Sequence, residues 1–190
     1  RGVNWGPNGN RIVKAESGWK EPLKWNRDAV CTCSAPLGKS HMESFLTCPQ
    51  HNPGAHRPRI FCASLADVFE DWQGPMLASG DVILNKDYRA SNGVLECRLT
   101  MQDVRNRLFA LIDATPNLDW LLLTKRPENI AKMMPAYFPG GYMAEAGRMN
   151  QEGPRPNVWL GTSVENQEAA DKRIPELLRV PAAVRFLSVE

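Results

Sequence analysis

Four short apolar runs, each closing on polar residues, constrain this chain more than any other feature of its sequence. Arg59-Ile60-Phe61-Cys62-Ala63 runs into Ser64 and Asp67, and Asp119-Trp120-Leu121-Leu122-Leu123 runs into Thr124-Lys125-Arg126-Pro127. Asn157-Val158-Trp159-Leu160-Gly161 runs into Thr162-Ser163-Val164-Glu165, and Val184-Arg185-Phe186-Leu187 into Ser188-Val189-Glu190. Mostly continuous apolar runs of this length suit strands buried on both faces, as parallel strands are. Helical patterns separate them. Val104, Leu108, Leu111 and Ile112 recur at helical spacing within Thr100 to Ala114, and Thr100 with Asp103 resembles a capping arrangement. Pro127 to Met134 predicts a second helix with proline in its first turn. Asn166 to Leu178 predicts a third, which Pro175 should break or restart. The class is therefore α/β, with runs 59–63, 119–124, 157–162 and 184–189 as neighbouring parallel strands of (βα) units, in a barrel or an open sheet. In both architectures ligands sit at the carboxyl ends of the strands, where the polar residues after each run collect.

The remaining segments are less regular. Residues 1–30 are rich in Gly, Pro and Trp, with Trp5, Trp19 and Trp25 close together, and Ser17-Gly18-Trp19-Lys20-Glu21-Pro22-Leu23 reads as an irregular segment held by its aromatics. Residues 74–99 carry Ser79-Gly80-Asp81 and Ser91-Asn92-Gly93, turn signals that suggest a β-hairpin excursion. Residues 139–156 look like a Gly- and Pro-rich loop. The chain opens on Arg1 instead of Met and stops at Glu190 inside an apolar run, so residues 1–190 read as a single incomplete domain. A net charge of +2 is too weak to indicate nucleic acid by bulk charge, leaving only a local patch. No apolar run approaches the roughly 18 residues of a membrane span and no signal peptide is read, so a cytoplasmic location with no membrane partner is the expectation.

Five cysteines without a secretory signal read as thiols or ligands, not as a disulfide framework. Residues 31–58 form a polar insertion holding Cys31, Cys33 and Cys48 and all three histidines, His41, His51 and His56. Cys31, Cys33, Cys48 and His51 offer a tetrahedral zinc set of the right ligand types, although C-x-C is tighter than the usual C-x2-C. The competing reading is a surface insertion with free thiols. The tryptophans of residues 1–30, with Arg11, Lys14, Lys20, Lys24 and Arg27 near them, are able to stack on bases and meet phosphates, but such clusters more often pack an irregular segment onto its domain.

The wording of the blocks is itself informative. Arg57-Pro-Arg-Ile-Phe-Cys-Ala-Ser-Leu-Ala-Asp-Val-Phe69, Leu118-Asp-Trp-Leu-Leu-Leu-Thr-Lys-Arg-Pro127, Asn157-Val-Trp-Leu-Gly-Thr-Ser-Val-Glu-Asn-Gln167, Ala170-Asp-Lys-Arg-Ile-Pro175 and Val184-Arg-Phe-Leu-Ser-Val-Glu190 follow one another in this order. They resemble the phage gene-product-37/gene-product-68 family, an uncharacterised group that is similar to radical S-adenosylmethionine (SAM) enzymes. The resemblance implies a TIM-type (βα) barrel, here partial, holding a [4Fe–4S] cluster and SAM. The family's three closely spaced cluster cysteines do not occur here, so the cluster loop is expected upstream of Arg1, and the family also continues past the final Ser-Val-Glu.

Under that resemblance the strand-end residues acquire roles. SAM offers an amino group, a carboxylate, ribose hydroxyls and an adenine, which suit carboxylates, cations and hydroxyls respectively. Asp67, Lys125 and Glu165 are the candidates for positioning SAM or transferring a proton. Ser64, Thr124, Arg126, Ser163, Ser188 and Glu190 are the candidates for cofactor binding. The plainer reading has Ser64 capping a helix and Asp67 in its first turn. Lys125 and Arg126 are adjacent, so only one of them should face inward. Two functions of different class follow: a radical-SAM-like enzyme of unknown substrate, with nucleic acid suggested by the family's phage setting, or a non-catalytic, zinc-stabilised module that binds nucleic acid or a protein partner.

Overall fold

A computed structural model describes residues 11–29, 57–62, 67–74, 76–78, 81–82, 99–135 and 153–190. The zinc set Cys31, Cys33, Cys48 and His51 lies outside these residues, as does Ser64. The elements in chain order are β1 (Arg11–Ile12), α1 (Glu16–Asp28), β2 (Arg59–Cys62), β3 (Met76–Ala78), β4 (Asp81–Val82) and α2 (Met101–Asp113). They continue with β5 (Asp119–Thr124), a 3-10 turn (Pro127–Asn129) leading into α3 (Ile130–Met133), β6 (Val158–Val164), α4 (Gln167–Arg179) and β7 (Val184–Val189).

The four apolar runs form one sheet, ordered β2-β5-β6-β7, and every pairing in it is parallel. Its register puts Ile60, Trp120 and Val158 level with one another, and likewise Cys62, Leu122 and Leu160. Partners level in a parallel sheet share a face, and successive residues alternate faces. The face carrying Trp120, Leu122, Val158 and Leu160 packs against Leu108, Phe109 and Ile112 of α2, Ile130 of α3, and Leu177 of α4 in one cluster. Ile112, Leu122, Ile130 and Leu118 are fully buried there, and each such side chain is worth about 1.5–3 kcal/mol of transfer free energy. The opposite face carries Phe61, Leu121, Leu123, Trp159 and Phe186. On it the Arg59 guanidinium stacks 4.5 Å above the Trp159 ring. Phe186 lies across Gly161, where an added Cβ would meet the ring at 2.4–2.6 Å, so any other residue there would have to displace the ring.

Each successive strand is added on the same side of the sheet, and α2, α3 and α4 all lie on the same face. With right-handed crossovers these two facts belong together. A doubly wound sheet reverses strand order and carries helices on both faces, and among the described residues this sheet does neither.

Local sequence explains the helices. The α2 N-terminus has a full capping box, in which the Thr100 hydroxyl accepts from Asp103 N at 3.1 Å and the Asp103 carboxylate accepts from Thr100 N at 2.8 Å. Asn166 caps α4 by accepting from Ala169 N at 2.8 Å. Pro175 does not break α4, contrary to the sequence expectation: the helix runs on to Arg179. Leu177 and Val180, buried in the core just beyond the proline, hold the last turn in place. Such packing offsets a proline cost of about 3 kcal/mol. Two buried polar side chains tie the loops to this core. Arg155 pairs with Asp113 at 2.7 Å and stacks on Phe109, and Asn157 donates to the carbonyls of Ile112 and Thr115.

The N-terminal part is more regular than its composition suggests. Residues 16–28 form helix α1, not an irregular segment, with Pro22 buried inside it. Trp19 packs on the core, and Arg107 of α2 both stacks on its ring at 4.5 Å and forks onto Glu16 at 2.6 and 2.7 Å. Within residues 74–99, where the sequence suggests a hairpin, β3 and β4 pair antiparallel, while Ser91-Asn92-Gly93 and the rest of 83–98 lie outside the described residues. A feature with no clear signal in the sequence is that β1 pairs parallel with β3, making a second, three-stranded sheet. Among the described residues no helix is long and apolar enough to cross a membrane.

Candidate functional site

Polar residues collect at the carboxyl edge of the four-stranded sheet in two charge clusters. The first centres on Asp67, which follows β2 and whose side chain is 14% exposed. Its Oδ1 accepts from Phe69 N at 3.0 Å and from the Thr124 hydroxyl at 2.7 Å. Its Oδ2 accepts from Lys125 N at 3.2 Å and from Arg126 Nη1 at 3.0 Å. Asp67 thus holds three consecutive residues at the end of β5. Arg126 also reaches Glu70 at 3.5 Å, and Arg11 of β1 forks onto Glu70 with two bonds of 2.6 Å while stacking on Trp72. The Arg11 fork holds the Glu70 carboxyl below the usual carboxylate range, and Glu70 in turn raises Arg11.

The second cluster is more open. Lys125 Nζ lies 2.5 Å from Glu165 Oε1, after β6, and 3.5 Å from Glu190 Oε2, after β7. Glu165 Oε2 accepts from Arg173 of α4 at 2.7 Å, and the same guanidinium nitrogen donates to the Ser163 carbonyl at 2.7 Å. Lys125 foremost, with help from Arg173, draws the Glu165 carboxyl down to about 2. The Lys125 ammonium is raised in return, first by Glu165 and then by Glu190. Side-chain exposures of 51% for Lys125, 31% for Glu165 and 47% for Glu190 leave this cluster accessible to a solute.

The expected site residues therefore divide. Lys125, Glu165 and Glu190 come together. Asp67, Thr124 and Arg126 come together beside them. The neighbours Lys125 and Arg126 diverge, one to each cluster, as adjacent residues leaving a strand do. Ser163 and Ser188 are level with each other on the sheet face opposite to Thr124 and Thr162. Thr124 is buried, its hydroxyl bonded to Asp67 and to Arg126 N. A separate cavity of about 390 Å³ lies toward the amino ends of the strands, lined by Trp25, Pro58, Arg59, Ile60, Phe61 and Leu118.

Glu70 and Arg173 escaped the sequence reading, and Arg11 entered it only as a possible phosphate contact. Glu70 and Arg11 are joined across 59 residues, and neither lies at the end of an apolar run. Arg173 sits inside a helix, and its side chain alone reaches the strand edge. Among the described residues no group of three His, Cys, Asp or Glu is arranged to hold a metal ion. Cys62 is a free thiol that burial pushes up to about 11.

A family model described as a protein of unknown function, DUF5131, matches residues 94–190, just over half of the chain. The chain belongs to the DUF5131 family. No curated protein and no solved structure matches it. The DUF5131 match runs from just before α2 to the end of β7. It contains Lys125, Glu165, Arg173 and Glu190, the whole of the open cluster. Asp67, Glu70 and Arg11, which anchor the other cluster, precede the matched region.

Proposed function

We propose that the carboxyl edge of β5, β6 and β7 is the ligand site of a (βα)-barrel enzyme of the radical-SAM-like type, and that SAM is the ligand. The observation that carries this reading is the convergence of Lys125, Glu165 and Glu190 at that edge, with alternating sign and open to solvent. A zwitterionic amino-acid group is complementary to such a set: its carboxylate exchanges onto Lys125 and its ammonium onto Glu165 or Glu190. The barrel is supported by strands added in one direction with helices on one face, an arrangement that places ligands at this edge. Exclusion of water and orientation of the cofactor are the protein's part in such chemistry.

The described residues do not fit an iron–sulfur cluster. Cys62 is the sole cysteine among them, it lies on the helix-packed face of β2, and its thiol is held protonated by burial. Cluster ligands are thiolates. SAM would be held by the strand edge alone, with no part played by a cluster on these residues.

Calorimetric titration of the chain with SAM tests it. Binding is expected, and Lys125→Met and Glu165→Gln should each weaken it about tenfold, the loss of one charge-assisted hydrogen bond. A parent protein that does not bind SAM, or two variants that bind it like the parent, would overturn the reading.

A further inference from the structure

We infer that Asp67 is a positioning residue for Lys125: it grips the chain on both sides of that lysine, so that the ammonium is presented to Glu165 and Glu190 while the neighbouring Arg126 is kept away from them. The inference deepens the SAM reading, on which its binding arm rests.

Among the described residues Asp67 accepts four bonds, and three come from consecutive residues, namely the Thr124 hydroxyl at 2.7 Å, Lys125 N at 3.2 Å and Arg126 Nη1 at 3.0 Å. Arg126 N closes the turn by donating to the Thr124 hydroxyl at 2.9 Å. The backbone of Lys125 is thereby fixed where the strand ends. This matters because a lysine side chain has many rotamers to lose, and only its base can be fixed by the backbone. The second effect is charge sorting. Arg126 adjoins Lys125 in sequence, and a guanidinium is the better partner for a carboxylate. Left free, it would compete for Glu165 and Glu190. Asp67 and Glu70 hold it instead, and Arg11 holds Glu70. Among the described residues the charged groups around Lys125 are then Glu165 and Glu190 at its ammonium, Arg173 behind Glu165, and Asp67 and Arg126 at its backbone. Asp67 is closed in by its four partners and acts on a ligand through Lys125, not by touching it.

The test uses the whole chain with lysine labelled at ¹³Cε, following the titration of Lys125 by NMR beside the affinity for SAM. Asp67→Asn keeps the shape and removes the charge. In this variant the Lys125 titration should fall back toward that of an ordinary lysine, and SAM affinity should drop about tenfold. Thr124→Val, which deletes the hydroxyl, should do the same, whereas Thr124→Ser should restore the parent titration. A merely structural role for Asp67 would leave Lys125 titrating as in the parent, and that result in folded Asp67→Asn overturns the inference. If Asp67→Asn does not fold, the two Thr124 variants decide: equal Lys125 titrations in Val and Ser overturn it. A parent that fails to bind SAM sinks the ligand reading alone, since the lysine titration is read without ligand.

Discussion

The two charge clusters at the strand edge use the same residue types and adjoin one another, yet their surroundings differ. Around Asp67 the carboxylate is 14% exposed, and all four of its bonds come from backbone or from side chains that also serve the fold. Around Lys125 the partners are the tips of long, half-exposed side chains at the ends of separate strands. Water competes little for the first set and freely for the second. Exposed ion pairs contribute little to stability because solvent screens them, whereas removing one partner from a shielded, hydrogen-bonded set leaves the others unsatisfied. The first cluster is thus placed to hold structure and the second to exchange partners with a solute.

The sharpest way to break this contrast is Asp67→Ala. It strands the Thr124 hydroxyl, Phe69 N and Arg126 together, and should cost on the order of 3 kcal/mol in urea unfolding. Lys125→Ala should leave the unfolding midpoint essentially where it was. Equal losses in the two variants would end the distinction.

A smaller effect is expected one link further out. Glu70→Gln should cost about 1–2 kcal/mol near neutral pH by weakening the fork from Arg11. The sign of its pH dependence follows from the depressed Glu70 carboxyl. The stability it supplies is complete above the ordinary carboxylate range and is lost as pH falls through its lowered folded value. The difference between parent and Glu70→Gln should therefore shrink in acid, and a gap that widens below pH 4 would contradict the ion-pair origin.

In the open cluster the signature is spectroscopic. Glu165 should titrate at about 2, and Lys125→Met should move that midpoint up toward the ordinary value, with Arg173 keeping part of the depression. High salt should have a similar effect, because these groups are exposed to counterions. The smallest expected signal comes from Cys62. With its thiol at about 11, alkylation followed by peptide mapping should stay slow at pH 8 and accelerate only in strong base.

Legibility from sequence followed the range of the forces involved. The four apolar runs matched the observed strands within two residues at either end, but burial on both faces, the reason for expecting them, holds only for the inner strands β5 and β6, while the outer strands β2 and β7 alternate between exposed and half-buried residues. The cap formed by Thr100 and Asp103 was equally visible, being local. Helix α1 was missed because Pro22, Gly18 and the tryptophans have low helix propensity, while the contacts that stabilise it come from Arg107 and the core, far along the chain. Pro175 misled for the same reason, tertiary packing outweighing a local rule. At the edge, the ends of the apolar runs pointed to Asp67, Lys125 and Glu165. Which carboxylate each cation would choose depended on strand order, and the pairing of Arg11 with Glu70 depended on a second sheet that no periodicity announces.

The strand order also bears on how the chain assembles. Strands β6 and β7 are joined by little more than α4, while β2 must wait for β5 to return from across the whole hairpin sheet and α2. Closing a longer loop costs more chain entropy before any contact is gained, and pairings distant in sequence form later. The β5-β6-β7 layer, with its helices and the open cluster, is therefore expected to condense first, with β2 docking onto it afterwards. Since Asp67 arrives with β2, the grip on Lys125 is among the last native contacts to form on folding and among the first released on local opening, which makes hydrogen exchange at the Lys125 amide a reporter of that final docking step.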